Sequence, residues 1–152
     1  MEKQMLEKYI NRLQQSFYKT MRTLGPELSD HLEEGLTGEQ FILLEVLQNK
    51  GHMTSSQLAE EFQVKPSAIT AMVERMYKNE FVTRERSTND RRVVYVKITD
   101  IGKNVFLKSR NKRNEIMEKY MSKFEENELE SMVRSFEKLQ QVIQSSKESE
   151  HK

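Results

Sequence analysis

Between residues 4 and 24 the large apolar side chains recur at steps of three and four: Leu6, Tyr9, Ile10, Leu13, Phe17, Met21 and Leu24. That spacing gathers them on one side of a helix. Gly25-Pro26 predicts a break or kink, because proline lacks an N–H and crowds the carbonyl four residues back. A short helical turn through Leu28 and Leu32 is expected to follow. Thr37-Gly38-Glu39-Gln40 places a threonine three residues before a glutamine, the reciprocal cap that opens a helix. The helix predicted there runs to Lys50 and stops at Gly51. Thr54-Ser55-Ser56-Gln57 repeats the signature and opens a short helix with Leu58, Ala59 and Phe62 inward. A tight turn at Gln63-Val64-Lys65 leads to Pro66, which suits the first position of another helix. Ile69, Met72, Val73 and Met76 give that helix one buried face, running to about Lys78.

The period then changes from helical to alternating. Residues 81–86 and 93–98 read as two strands joined by a polar tip. In the second, Val94, Val96 and Ile98 share one face, and Val93, Tyr95 and Lys97 share the other. Thr99 reads as the cap of a long helix over 100–121. A final helix over 126–144 carries the stripe Leu129, Met132, Val133, Phe136, Leu139, Val142 and Ile143. Its tail is expected to fray, with residues 147–152 disordered.

Composition narrows the picture. The 152 residues are 36% hydrophobic and 32% charged, which fits one domain with a modest core. That apolar content is low for helices this long, so the terminal stripes are expected to be buried in a partner. No apolar run reaches the roughly 18 residues of a membrane span, and the N-terminal segment lacks the apolar core of a signal peptide. The expected location is the cytoplasm, with no membrane partner. The absence of cysteine excludes disulfides, thiolate chemistry and cysteine-based zinc sites. His31, His52 and His151 have no ligand-like spacing, so no metal is expected. No histidine has a clear carboxylate partner and no glycine-rich phosphate loop is present, so an enzyme is not expected.

Net charge is +1, but it is unevenly distributed. Residues 27–64 carry one basic and eight acidic side chains, whereas residues 65–97 carry eight basic and four acidic. A nearly neutral protein with one basic face can still bind a polyanion, since local potential steers association. That basic segment holds the most informative order of elements: a helix, a tight turn, a second helix, then a hairpin with a charged tip. This is a winged helix-turn-helix. The second helix of such a unit lies in the major groove with its N-terminal residues nearest the bases. The candidate DNA-binding residues there are Lys65, Ser67, Ala68, Thr70, Ala71 and Arg75. The small side chains allow close approach, the hydroxyls reach bases or phosphates, and arginine reaches a guanine edge or a phosphate.

At the hairpin tip, Arg91 and Arg92 project from the body. Narrow minor grooves over A·T-rich sequence attract arginine. Asp90 beside them would repel phosphate, but it makes sense as a clamp that orients a guanidinium through paired hydrogen bonds. Taken as neighbouring strand residues, the two arginines point to opposite sides. On that basis Arg92 is assigned to the minor groove and Arg91 to the backbone.

The stretch DRRVVYVKITDIG, Asp90 to Gly102, resembles the wing signature of the MarR family of bacterial winged-helix transcription regulators. Asp90, Arg92, Thr99 and Gly102 match it, with Ile98 where leucine is usual. The resemblance extends over LTGEQFILLEVL, MTSSQLAEEFQVKPSAITAMVERM and the long flanking helices. Two positions depart from the family pattern. Lys65 stands where a capping serine or aspartate is frequent. Asn79-Glu80 stands where a glycine is usual, and Asn79 is expected to take the left-handed turn.

The resemblance implies a mainly α fold with a small antiparallel β-hairpin wing. It also implies a homodimer built from N- and C-terminal helices, over 1–34 and 100–146, around a DNA-binding lobe at 35–99. The expected partner is double-stranded DNA, bound as a palindromic operator with wings in the flanking minor grooves. The expected role is a repressor relieved by a small effector, aromatic or anionic. The alternative is a winged helix used as a protein-interaction module without specific DNA binding. Phe17, Tyr18, Met21, Arg22 and Phe41 are candidates to line an effector pocket, but helical spacing more often marks core, and no effector-binding residue is assigned.

Overall fold

A computed structural model of the chain describes residues 2–33 and 35–150. Among them are six α-helices, α1 (Lys3–Asp30), α2 (Gly38–Lys50), α3 (Ser55–Phe62), α4 (Pro66–Lys78), α5 (Asp100–Met121) and α6 (Glu126–Glu150). Three short strands, β1 (Met53–Thr54), β2 (Val82–Arg86) and β3 (Val94–Ile98), form an antiparallel sheet in the order β1-β3-β2. The chain divides into two compact units, residues 1–113 and 114–152.

In the first unit, both reciprocal caps form as expected. Thr37 Oγ1 accepts the Gln40 N–H at 3.3 Å while the Thr37 N–H donates to Gln40 Oε1 at 3.1 Å. Thr54 and Gln57 repeat this at 3.1 and 2.8 Å. The helices they open supply Leu43, Leu44, Leu47 and Leu58 to a core completed by Ile69, Val73 and Met76 of α4, Val82 and Val96 of the sheet, and Phe106 of α5. Burying a side chain of this size contributes about 1.5–3 kcal/mol. The turn between α3 and α4 is closed by Gln63 in a left-handed conformation, φ 52°.

Four local expectations differ from the fold. First, of the break or kink expected at Gly25-Pro26, the break does not occur: α1 continues to Asp30 with Pro26 inside it. Proline forfeits one helical hydrogen bond there, but Leu28 beyond it is buried, and that burial offsets part of the loss. Second, a two-residue strand precedes α3. Met53 pairs with Val96 and Thr54 with Tyr95, and so short a segment carries no alternation to read. Third, the left-handed residue after α4 is Glu80, φ 59°, not Asn79, whose φ is −85°. Asn79 instead donates from Nδ2 to the Gly35 carbonyl at 3.3 Å. Fourth, α6 extends through Glu150, beyond the expected end near residue 144. His151 and Lys152 of the expected disordered tail lie outside the described residues.

The joint between β3 and α5 ties the wing to the body. Thr99 Oγ1 accepts the Gly102 N–H at 2.9 Å, capping α5 as expected, and donates to the Glu80 carbonyl at 2.5 Å. The Thr99 N–H donates to the Phe81 carbonyl at 3.1 Å. That same carbonyl oxygen would lie 2.0 Å from a Cβ on residue 102, so only glycine fits this close approach.

Large apolar side chains remain exposed on α1, among them Leu6, Tyr9, Ile10, Leu13, Phe17 and Met21. In the second unit, α6 exposes Met132, Val133, Phe136, Leu139, Val142 and Ile143. Among the described residues no helix is long and apolar enough to cross a membrane.

Candidate nucleic-acid interface

The α4 helix buries Ile69, Met72, Val73 and Met76, which turns the opposite face outward. Ser67, Ala68, Thr70, Ala71 and Arg75 are exposed, and Lys65 is exposed at the N-cap. Lys65 makes no side-chain capping hydrogen bond. Pro66 has no N–H and the Ala68 N–H donates to the Lys65 carbonyl at 3.0 Å, which leaves the Ser67 N–H at this helix start for another acceptor. A helix N-terminus of this kind favours an anion such as phosphate. The Thr70 hydroxyl donates to the Pro66 carbonyl at 3.0 Å. With its hydrogen committed there, it faces outward as an acceptor beside its methyl group.

The wing tip is organised by two side chains. Ser87 Oγ accepts the N–H groups of Asn89 and Asp90 at 3.2 and 3.3 Å. The Asp90 carbonyl accepts the Val93 N–H at 2.9 Å, and the Val93 carbonyl accepts the Ser87 N–H at 2.9 Å. Asp90 Oδ1 then accepts both the backbone N–H and the Nε–H of Arg92, at 3.0 and 3.2 Å, and Oδ2 accepts from Nη2 at 3.3 Å. These bonds, the backbone one first, hold the Asp90 carboxyl below its ordinary range. The Arg92 side chain is nonetheless 91% exposed. The tip therefore presents a fixed, solvated guanidinium.

The expected clamp thus forms on Arg92. Arg91 and Arg92 do not alternate along a strand as expected. β3 begins at Val94, so Arg91 and Arg92 both lie in the turn. What separates them is Asp90, which engages Arg92. The part played by Ser87 goes beyond the sequence expectation, although a serine ahead of an Asn-Asp pair is a turn-forming signal.

A further contact joins α4 to β2. Arg84 Nη2 donates to Glu74 Oε2 at 2.7 Å, and the Arg84 guanidinium lies 5.2 Å from the centre of the Tyr77 ring.

The candidate effector residues differ in burial. Phe41 belongs to the core, 5.2 Å from Phe106 and beneath the Arg113 guanidinium, whereas Phe17, Tyr18 and Met21 are exposed on α1. Of the histidines, the His31 ring donates to the Glu27 carbonyl at 2.7 Å and His52 packs edge-on against Tyr95. His151 lies outside the described residues. Among the described residues, no three His, Asp or Glu side chains are grouped to hold a metal ion.

Known proteins resemble this chain in sequence and in fold. The model of the MarR family matches residues 36–94. The HTH-type transcriptional repressor MdtR of Bacillus subtilis (strain 168) is 32% identical over 124 residues, covering 81% of this chain and 80% of the relative. Among solved structures, the YusO protein from Bacillus subtilis is 30% identical with a TM-score of 0.69, covering 89% of this chain and 96% of its own. A MepR-like protein complexed with pseudoligands is 38% identical with a TM-score of 0.62, covering 90% of this chain and 94% of its own. A MarR family protein from Bacillus stearothermophilus, at 22% identity, shares the fold with a TM-score of 0.79, covering 95% of this chain and 99% of its own. The chain belongs to the MarR family of DNA-binding, winged-helix transcription regulators, which are not enzymes.

Proposed function

We propose that this regulator is a cytoplasmic homodimer that represses transcription from a palindromic operator and is relieved by a small aromatic or anionic effector. In this reading residues 35–99 form the DNA-binding lobe, with α4 in the major groove. Ser67, Ala68, Thr70 and Ala71 approach base edges, Lys65 meets phosphate, and Arg75 reaches a base edge or phosphate. Arg92 enters the flanking minor groove, Arg91 meets the backbone and Asp90 orients the wing. The helices over 1–34 and 100–146 form the dimerisation region.

The observation that carries the reading is the clamp at the wing tip. Two hydrogen bonds from the guanidinium and one from the Arg92 backbone N–H tie this arginine to Asp90 while leaving its side chain 91% exposed. A cation used only to balance Asp90 needs no such presentation. The exposed apolar stripes of α1 and α6 support a second copy as the covering partner. The repressor role is supported by the MdtR relative, and relief by an effector by the MepR-like protein's bound pseudoligands.

Base preference tests the placement of α4. Ser67→Ala and Thr70→Ala are expected to change which bases are selected. Lys65→Ala is expected to weaken all duplexes alike, flattening the salt dependence by about one unit for each phosphate left without its cation. Unchanged base preference in both hydroxyl variants would place α4 in the wrong register.

A further inference from the structure

The inward face of β2 begins in the core and then leaves it. Val82 is buried, opposite Ile98, and Arg84 follows on the same face, opposite the buried Val96. The next inward position from the core edge is thus an arginine, and what it meets is α4. Its Nη2 donates to Glu74 Oε2 at 2.7 Å, and its guanidinium lies over the Tyr77 ring at 5.2 Å.

Glu74 is one helical repeat beyond Ser67 and one turn beyond Thr70 and Ala71, so it shares their face. An acidic side chain there opposes phosphate binding unless it is engaged. An exposed ion pair alone holds a structure weakly. Here the planar guanidinium is fixed twice, by a carboxylate and by an aromatic face, which suits arginine and not lysine.

The geometry points to Arg84 as a positioning residue that sets the wing relative to the recognition helix. It fixes the offset between the bases α4 reads and the minor groove the wing enters, and it turns the Glu74 carboxylate to that task. This rests on the proposed placement of α4 and the wing on DNA.

The test is the ratio of affinities for two duplexes with the same core half-sites and either A·T or G·C flanks. Both duplexes carry the same phosphates, so counterion release cancels in the ratio. Arg84→Met and Glu74→Gln change the protein charge in opposite directions, so a fall of the ratio in both is not a charge effect. Arg84→Met, with an unchanged melting temperature, is expected to lower the parent's flank ratio by about threefold to fivefold, the scale of one exposed ion pair. It should leave the core base preference intact. Glu74→Gln is expected to lower the ratio as well, even if it tightens binding to both duplexes. Arg84→Lys should recover part of it. Folded Arg84→Met and Glu74→Gln proteins with the parent's ratio would overturn the positioning role alone. A parent that binds duplex DNA without any flank preference would overturn the wing placement, and the positioning role with it.

Discussion

Asp90 takes three hydrogen bonds from Arg92, one from the backbone N–H and two from the guanidinium. A carboxylate beside a phosphate-facing cation is either a clamp or a repeller, and the two differ in sign. Asp90→Ala raises the net charge by one, so removing a repeller would tighten DNA binding. Removing a clamp releases the guanidinium to many rotamers, and ordering it again on DNA costs side-chain entropy. The expected outcome is weaker binding in a shift assay. Tighter binding at every salt concentration would identify Asp90 as a repeller.

The same carboxyl sets a pH dependence. Its ionisation is lowered from the ordinary aspartate value because the Arg92 backbone N–H, and then the guanidinium, favour the charged form. A depressed carboxyl contributes its stabilisation above the unfolded value and loses it as the pH falls through the folded value. The tip is therefore expected to keep its order throughout the neutral range and to loosen only in acid, below the ordinary aspartate range. The Arg92 Nε–H resonance followed by NMR reports this directly. Loosening near neutrality would show that some other group holds the tip.

Glu80 carries a left-handed turn without being glycine, whereas Asn79 does not. An L-residue in that region is strained by about 1–2 kcal/mol, which glycine avoids at the cost of a freer unfolded chain. Glu80→Gly is therefore expected to raise or preserve the melting temperature. Asn79→Gly should lower it, since it gains nothing at its φ and loses the bond to the Gly35 carbonyl. The opposite order of melting temperatures would place the turn at Asn79.

Much of this fold is legible in the sequence because its signals are local. Thr37 with Gln40, Thr54 with Gln57, and Thr99 with Gly102 each specify a helix start within four residues. The hairpin alternation through Val96 and Ile98 is equally self-contained. The parts that escape such reading depend on distant groups. Pro26 stays inside α1 although its own residue type argues for a stop. Met53 and Thr54 become a strand only because Val96 and Tyr95 lie alongside. At the Asn79-Glu80 turn, Asn79 bonds to a carbonyl 44 residues away, a partner no local pattern names. At the site, Asp90 and Arg92 are readable because they stand two positions apart. Arg84 and Glu74 are not, because they meet only once β2 packs beside α4.

Phe136 tests the dimer. It is 54% exposed on the apolar stripe of α6. If a second copy covers that stripe, Phe136→Glu would place a charge in an apolar interface. Folding and dimerisation are linked in an obligate dimer. The variant is expected to lose both, sedimenting below the dimer mass with a strongly lowered or absent melting transition. The parent should sediment at twice the 18.1 kDa chain mass. A parent that binds DNA as a folded monomer would remove the proposed dimer.

Sequence-specific recognition by α4 and the wing is tested most directly by selecting bound duplexes from a random pool at moderate salt. The expected result is a palindrome whose half-sites change with Ser67→Ala or Thr70→Ala. Its A·T-rich flanks should lose their enrichment with Arg92→Ala, at a cost of about 1–3 kcal/mol in affinity. Recovery of a palindrome insensitive to all three substitutions would move the interface elsewhere on the protein. A pool that returns no enriched sequence would contradict specific DNA recognition by this chain.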